Sequence, residues 1–285
     1  MEIGVVLPQT EIGSTPDALR TYAQGAEALG YAHLLAYDHV LGADPAVHEG
    51  WDGPYDVDTD FHEPMVLFGF LAGCTGLSLV SGIVILPQRE TALVAKQAAE
   101  VDLLTGGRFR LGVGLGWNRV EYEALGQQFS MRGRRLESQI VLLRRLWTER
   151  SVTSIDEFDT VRGAGLSPMP VQRPIPIWIG ASSPPAFERI GRLADGWFPP
   201  MQPGERLDGA LAYVRKGAER AGRDPAAIGL QGRVDWRGDV GNLAAQVDKW
   251  RAAGATHLGV NTMGSGRSGP REHLDVLEAI AAAIL

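Results

Sequence analysis

Arg108-Phe-Arg-Leu-Gly-Val-Gly-Leu-Gly-Trp-Asn118 begins as a short apolar run and ends in glycines, an aromatic ring and an amide. Three other segments follow the same pattern: Tyr31-Ala-His-Leu-Leu-Ala-Tyr-Asp-His39, Leu79-Val-Ser-Gly-Ile-Val-Ile-Leu86 and Ile175-Pro-Ile-Trp-Ile-Gly-Ala-Ser-Ser183. Each leaves a strand for a loop and a helix. In an α/β barrel such ends converge on one rim, where residues distant in sequence can share one piece of chemistry.

Working outward, Ile3–Pro8, Tyr31–Tyr37, Leu77–Leu86, Arg108–Leu115, Ile175–Ile179, Gly196–Phe198, Ile228–Val234 and Thr256–Asn261 read as strands. Helical periodicity covers Pro16–Leu29, Glu63–Ala72, Thr91–Leu104, Gly133–Trp147, Pro184–Leu193, Leu207–Ala221, Val240–Ala253 and His273–Leu285. Thr15 is the expected N-cap of the first helix, with Pro16 in its first turn and Gly30 as its stop. Strands alternating with helices imply a parallel sheet with helical crossovers. The near-continuous apolar character of Leu79–Leu86 and Leu111–Leu115 fits strands covered on both faces. The expected fold is α/β, a single (β/α)8 TIM barrel over residues 1–285. An open doubly wound sheet shares the local pattern and stands as the alternative. Two stretches exceed a minimal barrel and are expected as insertions. Gly42–His62, after the second strand, carries Trp51, Tyr55 and five aspartates. Thr148–Pro174, before the fifth strand, runs into Pro168-Met-Pro-Val-Gln-Arg-Pro-Ile-Pro176.

With 285 residues, 45% hydrophobic and 21% charged, the chain can bury a full core. No stretch approaches the roughly 18 apolar residues that span a bilayer. The first strand starts near Ile3 without a basic leader, so a cytoplasmic location is expected. Cys74, the only cysteine, rules out an internal disulfide and a multi-thiolate metal site. A formal charge of −7 disfavours nucleic acid and anionic membranes as partners. The local exception is Arg132, Arg134, Arg135, Arg144 and Arg145. On a helical pattern beside Glu137 and Glu149 it reads as a solvated face, or, at Arg134 or Arg135, as a phosphate or carboxylate contact.

Asp38-His39 ends the second strand, where an imidazole can move a proton near neutral pH. A lone histidine is as readily structural. His39, His48, Asp52, Asp56, Asp58, His62 and Glu63 are suitable metal-ligand types but lack any metal-binding spacing, so no metal is expected. No Gly-x-Ser-x-Gly elbow is present. Gly112-Val-Gly-Leu-Gly116 departs from the dinucleotide fingerprint. It reads instead as a strand cleared of Cβ atoms for a flat ring, or for close strand–helix packing. Trp117 and Asn118 then stand at the rim. Gly180-Ala-Ser-Ser183 precedes a helix and reads either as an anion site suited to phosphate or as a plain N-cap.

Together these phrases resemble the bacterial luciferase-like monooxygenase superfamily, and most closely its deazaflavin-dependent oxidoreductase branch. The phrases are Asp38-His39-Val-Leu-Gly-Ala43, Ile85-Leu-Pro-Gln-Arg89 with Ala95-Lys-Gln97, and the run from Leu104 to Trp117. They continue with Glu121-Tyr-Glu-Ala-Leu-Gly126, Arg132-Gly-Arg-Arg135, Pro174-Ile-Pro-Ile-Trp-Ile-Gly180 and Ala194-Asp-Gly-Trp197. The resemblance implies His39 as the catalytic residue over the ring, with Asp38 beside it, and a non-proline cis peptide at Gly82–Ile83 backing the ring. It implies Gly116, Trp117 and Asn118 in the cofactor pocket and Gly180, Ala181, Ser182 and Ser183 around the phosphate. Sugar-phosphate dehydrogenases of this branch carry an acid/base glutamate where this chain has Trp117. Trp117 therefore shapes the catalytic pocket, and an apolar or aromatic substrate is expected.

The implied reaction is hydride transfer between coenzyme F-420 (8-hydroxy-5-deazaflavin) and a small organic molecule. The alternatives are an FMN-dependent two-component monooxygenase and a non-catalytic flavin-binding protein. A separate flavin or deazaflavin reductase would supply reduced cofactor, and a homodimer is the expected assembly.

Overall fold

The computed structural model describes residues 1–285. Its main sheet is built from β1 (Glu2–Val6), β2 (His33–Ala36), β3 (Ser78–Ser81), β4 (Val84–Ile85), β5 (Phe109–Gly114), β8 (Ile177–Gly180), β9 (Gly196–Phe198), β10 (Gly229–Asp235) and β11 (His257–Asn261). The order is β3-β2-β1-β11-β10-β9-β8-β5-β4, and a further β3–β5 pairing closes it. All these pairings are parallel. β3 meets β5 at Leu79↔Phe109 and β4 meets it at Val84↔Val113, so the two short strands are halves of one stave. The sheet is thus an eight-stave closed barrel, the α/β fold expected. The doubly wound alternative is excluded by the closure.

Helices α1 (Pro16–Ala28), α2 (Pro64–Ala72), α3 (Thr91–Thr105), α5 (Arg132–Thr148), α6 (Pro184–Leu193), α7 (Glu205–Arg220), α8 (Val240–Ala252) and α9 (Gly269–Ile284) lie outside the staves. Their ends follow local chemistry. Thr15 Oγ1 accepts from Ala18 N–H at 3.3 Å and Pro16 starts α1. Gly106, in the left-handed region at φ 66°, stops α3.

Three departures from the sequence pattern are informative. The apolar run Leu77–Leu86 is not one strand, because a cis peptide at Gly82–Ile83 parts β3 from β4. A short helix, α4 (Arg119–Ala124), follows β5 with Asn118 as its N-cap. The stretch expected as an insertion before the fifth stave holds an antiparallel hairpin, β6 (Val152–Ile155) with β7 (Thr160–Ala164). That hairpin is too exposed to be a stave; only Val152 in it is buried.

Alternation along the staves separates two cores. Outward residues such as Val5, Leu34, Leu79, Leu111, Ile179 and Val260 join the helices in one cluster of 57 buried residues, where most of the hydrophobic stabilisation lies. The lumen has its own small apolar waist of Val6, Leu35 and Val80, with Tyr37 and Phe198 against it. Below the waist the lumen turns polar. Arg110 stacks on Trp178 at 4.4 Å, and His33 meets Gln231 at 3.2 Å. Above it the lumen opens into the cavity described next.

Candidate active site

The C-terminal ends of β2, β4, β5 and β8 border one cleft of two joined lobes, of about 440 and 480 Å³. Gly82, Ile83, Gly180, Ala181, Ser182 and Tyr37 line both. The deep lobe reaches the waist and includes Phe198, Met201, Gln231 and Arg233. The outer lobe takes in Asp38, His39, Tyr55, Gly116, Trp117, Asn118, Ser183, Arg132 and Arg189. The residues expected from the resemblance to form the catalytic and cofactor pocket therefore all line the same cleft, although their side chains do different things.

His39 is the side chain held for chemistry. Its Nδ1 lies 3.1 Å from Glu121 Oε1, and the two side chains are 8% and 3% exposed. The same oxygen accepts from the backbone N–H groups of Val40 (2.5 Å) and Leu41 (3.2 Å), and Oε2 accepts from the Gln88 amide at 3.0 Å. Burial alone would push the Glu121 carboxyl up. The donors His39, Val40 and Gln88 and the imidazole's charge outweigh it and hold Glu121 below the usual carboxylate range. An anionic Glu121 assigns the Nδ1 proton to His39, which leaves Nε2 as the working nitrogen. Tyr55, Phe61 and Trp117 surround the imidazole at 5.5, 5.2 and 5.9 Å between centroids.

Asp38 has another task. Its carboxylate, 1% exposed, takes a two-pronged ion pair from Arg89 at 2.7 and 2.9 Å and accepts the Ile85 N–H at 3.1 Å. Adjacent residues on an extended chain point opposite ways, so His39 faces the cleft while Asp38 ties β2 to the end of the third stave. Both Asp38 oxygens are already engaged within the protein, which makes it a positioning group. Asn118 is similarly committed: Oδ1 caps α4 through Val120 N–H (3.0 Å) and Glu121 N–H (3.3 Å), and Nδ2 reaches Leu41 O.

The glycines of β5 are filled from within the protein. A Cβ on Gly112 would lie 1.9 Å from Ser81 O, one on Gly114 2.2 Å from Ile83 Cδ1, and one on Gly116 2.7 Å from Ile85 Cγ2. The sequence reading left this space to a flat ring or to a closely packed helix, and neither fills it. The occupant is the neighbouring stave, and Ile83, seated between Gly114 and Gly180, becomes part of the cleft wall. The loop Gly180–Ser183 also differs from the expected helix-start anion site. Pro184 and Pro185 have no N–H, and the N–H groups of Ala186 and Phe187 both donate to Ser183 O. The donors left free are the loop's own, including both serine hydroxyls.

Among the arginines, Arg134 makes an exposed ion pair with Glu157, and Arg135 reaches Arg89 O at 3.3 Å and lies 3.8 Å from Glu90. Neither lines the cleft. Arg144 and Arg145 are paired with Asp195 and Glu149. Sequence reasoning missed Glu121, Arg89, Phe61 and Arg132. Glu121 did carry a signal: Asn118-x-x-Glu121 has the form of a capping box. Its glutamate turns from its own helix to the segment after β2.

Residues 1–275 match the family model described as luciferase-like monooxygenase. The chain belongs to the luciferase-like monooxygenase family. This is an enzyme family of flavin- and deazaflavin-dependent oxidoreductases. The F-420-dependent hydroxymycolic acid dehydrogenase of Mycobacterium tuberculosis is 30% identical over 262 residues, 89% of this chain and 68% of that protein. The F-420-dependent glucose-6-phosphate dehydrogenase of Kribbella flavida is 30% identical over 215 residues, 73% of this chain and 61% of that one. An F-420-dependent secondary alcohol dehydrogenase crystallised with an F-420–acetone adduct superimposes with a TM-score of 0.80, at 16% identity, over 100% of this chain and 99% of that chain. The monooxygenase RslO1 of Streptomyces bottropensis does so equally well, with a TM-score of 0.80 at 18% identity over 99% and 98%. These two structural likenesses carry the fold. No helix is long and apolar enough to cross a membrane.

Proposed function

We propose that this enzyme moves a hydride between C5 of coenzyme F-420 and a small apolar or aromatic organic substrate. Its 30%-identical relatives named as F-420-dependent support the coenzyme. The observation that carries the reaction is the buried His39–Glu121 pair, with His39 Nε2 left as its working edge. The cleft suits a deazaflavin: Ile83 gives an apolar wall, and Ser182 and Ser183 bring hydroxyls for a phosphate. When bound, the coenzyme supplies a carbon-centred two-electron hydride donor or acceptor.

The chain's own residues supply the rest. In the reducing direction a carbonyl or imine carbon gains the hydride and its heteroatom gains a proton from His39 Nε2. In the oxidising direction Nε2 takes that proton. Glu121 fixes the imidazole's tautomer and stabilises its cationic form. The Asp38–Arg89 pair holds the third stave against the second. Trp117, Tyr55 and Phe61 exclude water from the proton path and face an apolar substrate. A separate reductase or dehydrogenase would recycle the coenzyme.

Fluorescence-quenching titrations should give tighter binding of F-420 than of FMN. Replacing His39 by Ala should cut turnover by about 10²–10⁴-fold, the usual worth of a general acid–base, and shift coenzyme affinity far less. Equal or tighter FMN binding with oxygen-dependent product formation would favour the monooxygenase. Coenzyme binding without hydride transfer to any enone, alcohol or imine would favour a carrier.

A further inference from the structure

The outer lobe carries two separate sets of unspent hydrogen-bond donors on different walls. One is the β8–α6 loop, with the hydroxyls of Ser182 and Ser183. The other, on the α4–α5 side, is cationic. Arg132 lines the lobe, has no carboxylate partner, and its buried Nε has no hydrogen-bond acceptor in the protein. Its NH1 donates to Phe129 O at 2.7 Å, and its guanidinium stands 3.7 Å over the Phe129 ring. Arg119, exposed and just outside the residues that line the lobe, stands over the same ring at 4.1 Å, also with no carboxylate within ion-pair distance. Arg189, which lines the lobe too, is already neutralised by Glu137 at 2.8 Å.

Two like charges held over one ring repel each other, and the chain's other cleft arginines have acidic neighbours. An arginine pair without any is built for a negative charge brought by the ligand. The hydroxyls of the β8–α6 loop already stand as the candidates for the coenzyme's phosphate. We infer that Arg132 and Arg119 form a second anionic subsite, one that takes carboxylates lying beyond the phosphate of the bound coenzyme. This rests on the deazaflavin reading above and sharpens it. F-420 ends in a phosphodiester followed by glutamyl carboxylates, whereas FMN ends at its phosphate. The pair would therefore select the coenzyme by its tail rather than by its ring.

The test is a set of dissociation constants at low and moderate salt for four ligands: F-420, its glutamate-free phosphodiester form, the phosphate-free deazaflavin riboside and FMN. They are measured on wild type, on the double variant Arg119→Gln/Arg132→Gln and on Arg132→Lys. F-420 should lose roughly tenfold in the double variant, the worth of one partly exposed charge-assisted contact, and should lose most of its salt dependence. The phosphate-free riboside should be unaffected, which also shows that the ring site is folded, and the glutamate-free form, which keeps one carboxylate beyond its phosphate, should lose less than F-420. Arg132→Lys should recover part of the loss. An unchanged F-420 constant, or an equal loss on all three deazaflavins, overturns the tail subsite and leaves the coenzyme reading intact. Binding of FMN with none of the deazaflavins overturns both.

Discussion

At Glu121 four donors converge on one buried carboxylate, and three of them belong to the segment just after β2. The residue that orients His39 thus also fixes the start of the loop that covers it. An amide at 121 keeps one acceptor oxygen but turns an NH2 group toward another donor. Glu121→Gln should therefore cost about 1–3 kcal/mol, the range for leaving a buried polar group unsatisfied. It should also lower turnover while leaving coenzyme affinity nearly intact, since the imidazole loses its stabilising anion. The pH dependence has a defined sign. The folded carboxyl titrates below its ordinary range, so the wild-type advantage is complete above the unfolded value of about 4.3 and is lost as pH falls through the folded one. Urea denaturation should give the same wild-type-to-variant gap at pH 7 and 5.5 and a narrowing gap at pH 4. A gap that widens toward acid contradicts the assignment.

Among the elements, β5 and the third stave depend on each other. Gly112 approaches a backbone oxygen, Ser81 O, whereas Gly114 approaches the flexible tip of Ile83. Backbone cannot step aside. Gly112→Ala should thus cost more than Gly114→Ala, both by about 1–3 kcal/mol or above, as overpacking does. Gly114→Ala should additionally weaken coenzyme binding, because Ile83 would be pushed toward the cleft. Urea midpoints and a coenzyme titration on the two variants check this, and a reversed order of stability would refute the packing argument. The glycine spacing was legible in the sequence, but its partner was not, because strand-to-strand approach is set by sheet closure and leaves no local mark. Most element types and the convergence of the four strand ends were legible from periodicity and turn residues. The cis peptide at Gly82–Ile83 was expected from the resemblance, whereas periodicity alone left no sign that the run would split there into two strands. The β6–β7 hairpin was obscured because most of it faces solvent and so lacks a clear buried face. Glu121 escaped because its helix is a short turn and a half.

For the whole molecule, the polar lumen beneath the waist sets the response to acid. Burial, then Arg110 and His257, hold the His33 imidazole well below its ordinary value. Burial, then Arg110 and the N-terminal ammonium, push His257 down to about 3. Burial likewise lowers His62 and His273. His33 and His257 stay neutral in the fold at pH values where the unfolded chain binds protons, below about pH 6.5, and the other two histidines shift the same way. The unfolded state then holds more protons, so stability is present above that value and declines as pH falls toward the folded values. Arg110 aggravates the decline and is itself a buried cation with no carboxylate in ion-pair contact; burial holds its guanidinium down to about 10 against a weaker opposing pull from Glu2. Arg110→Met removes the charge and retains an apolar stem against Trp178. It forfeits about 0.5–2 kcal/mol of cation–π attraction and relieves a desolvation cost of several kcal/mol. The variant should match or exceed wild type at pH 7 and lose less stability between pH 6.5 and 4.5, as read from thermal midpoints across that range. A variant that is clearly weaker at pH 7, or that falls more steeply with acid, would mean that Glu2 and the Trp178 face compensate the Arg110 charge in full, and would overturn the argument.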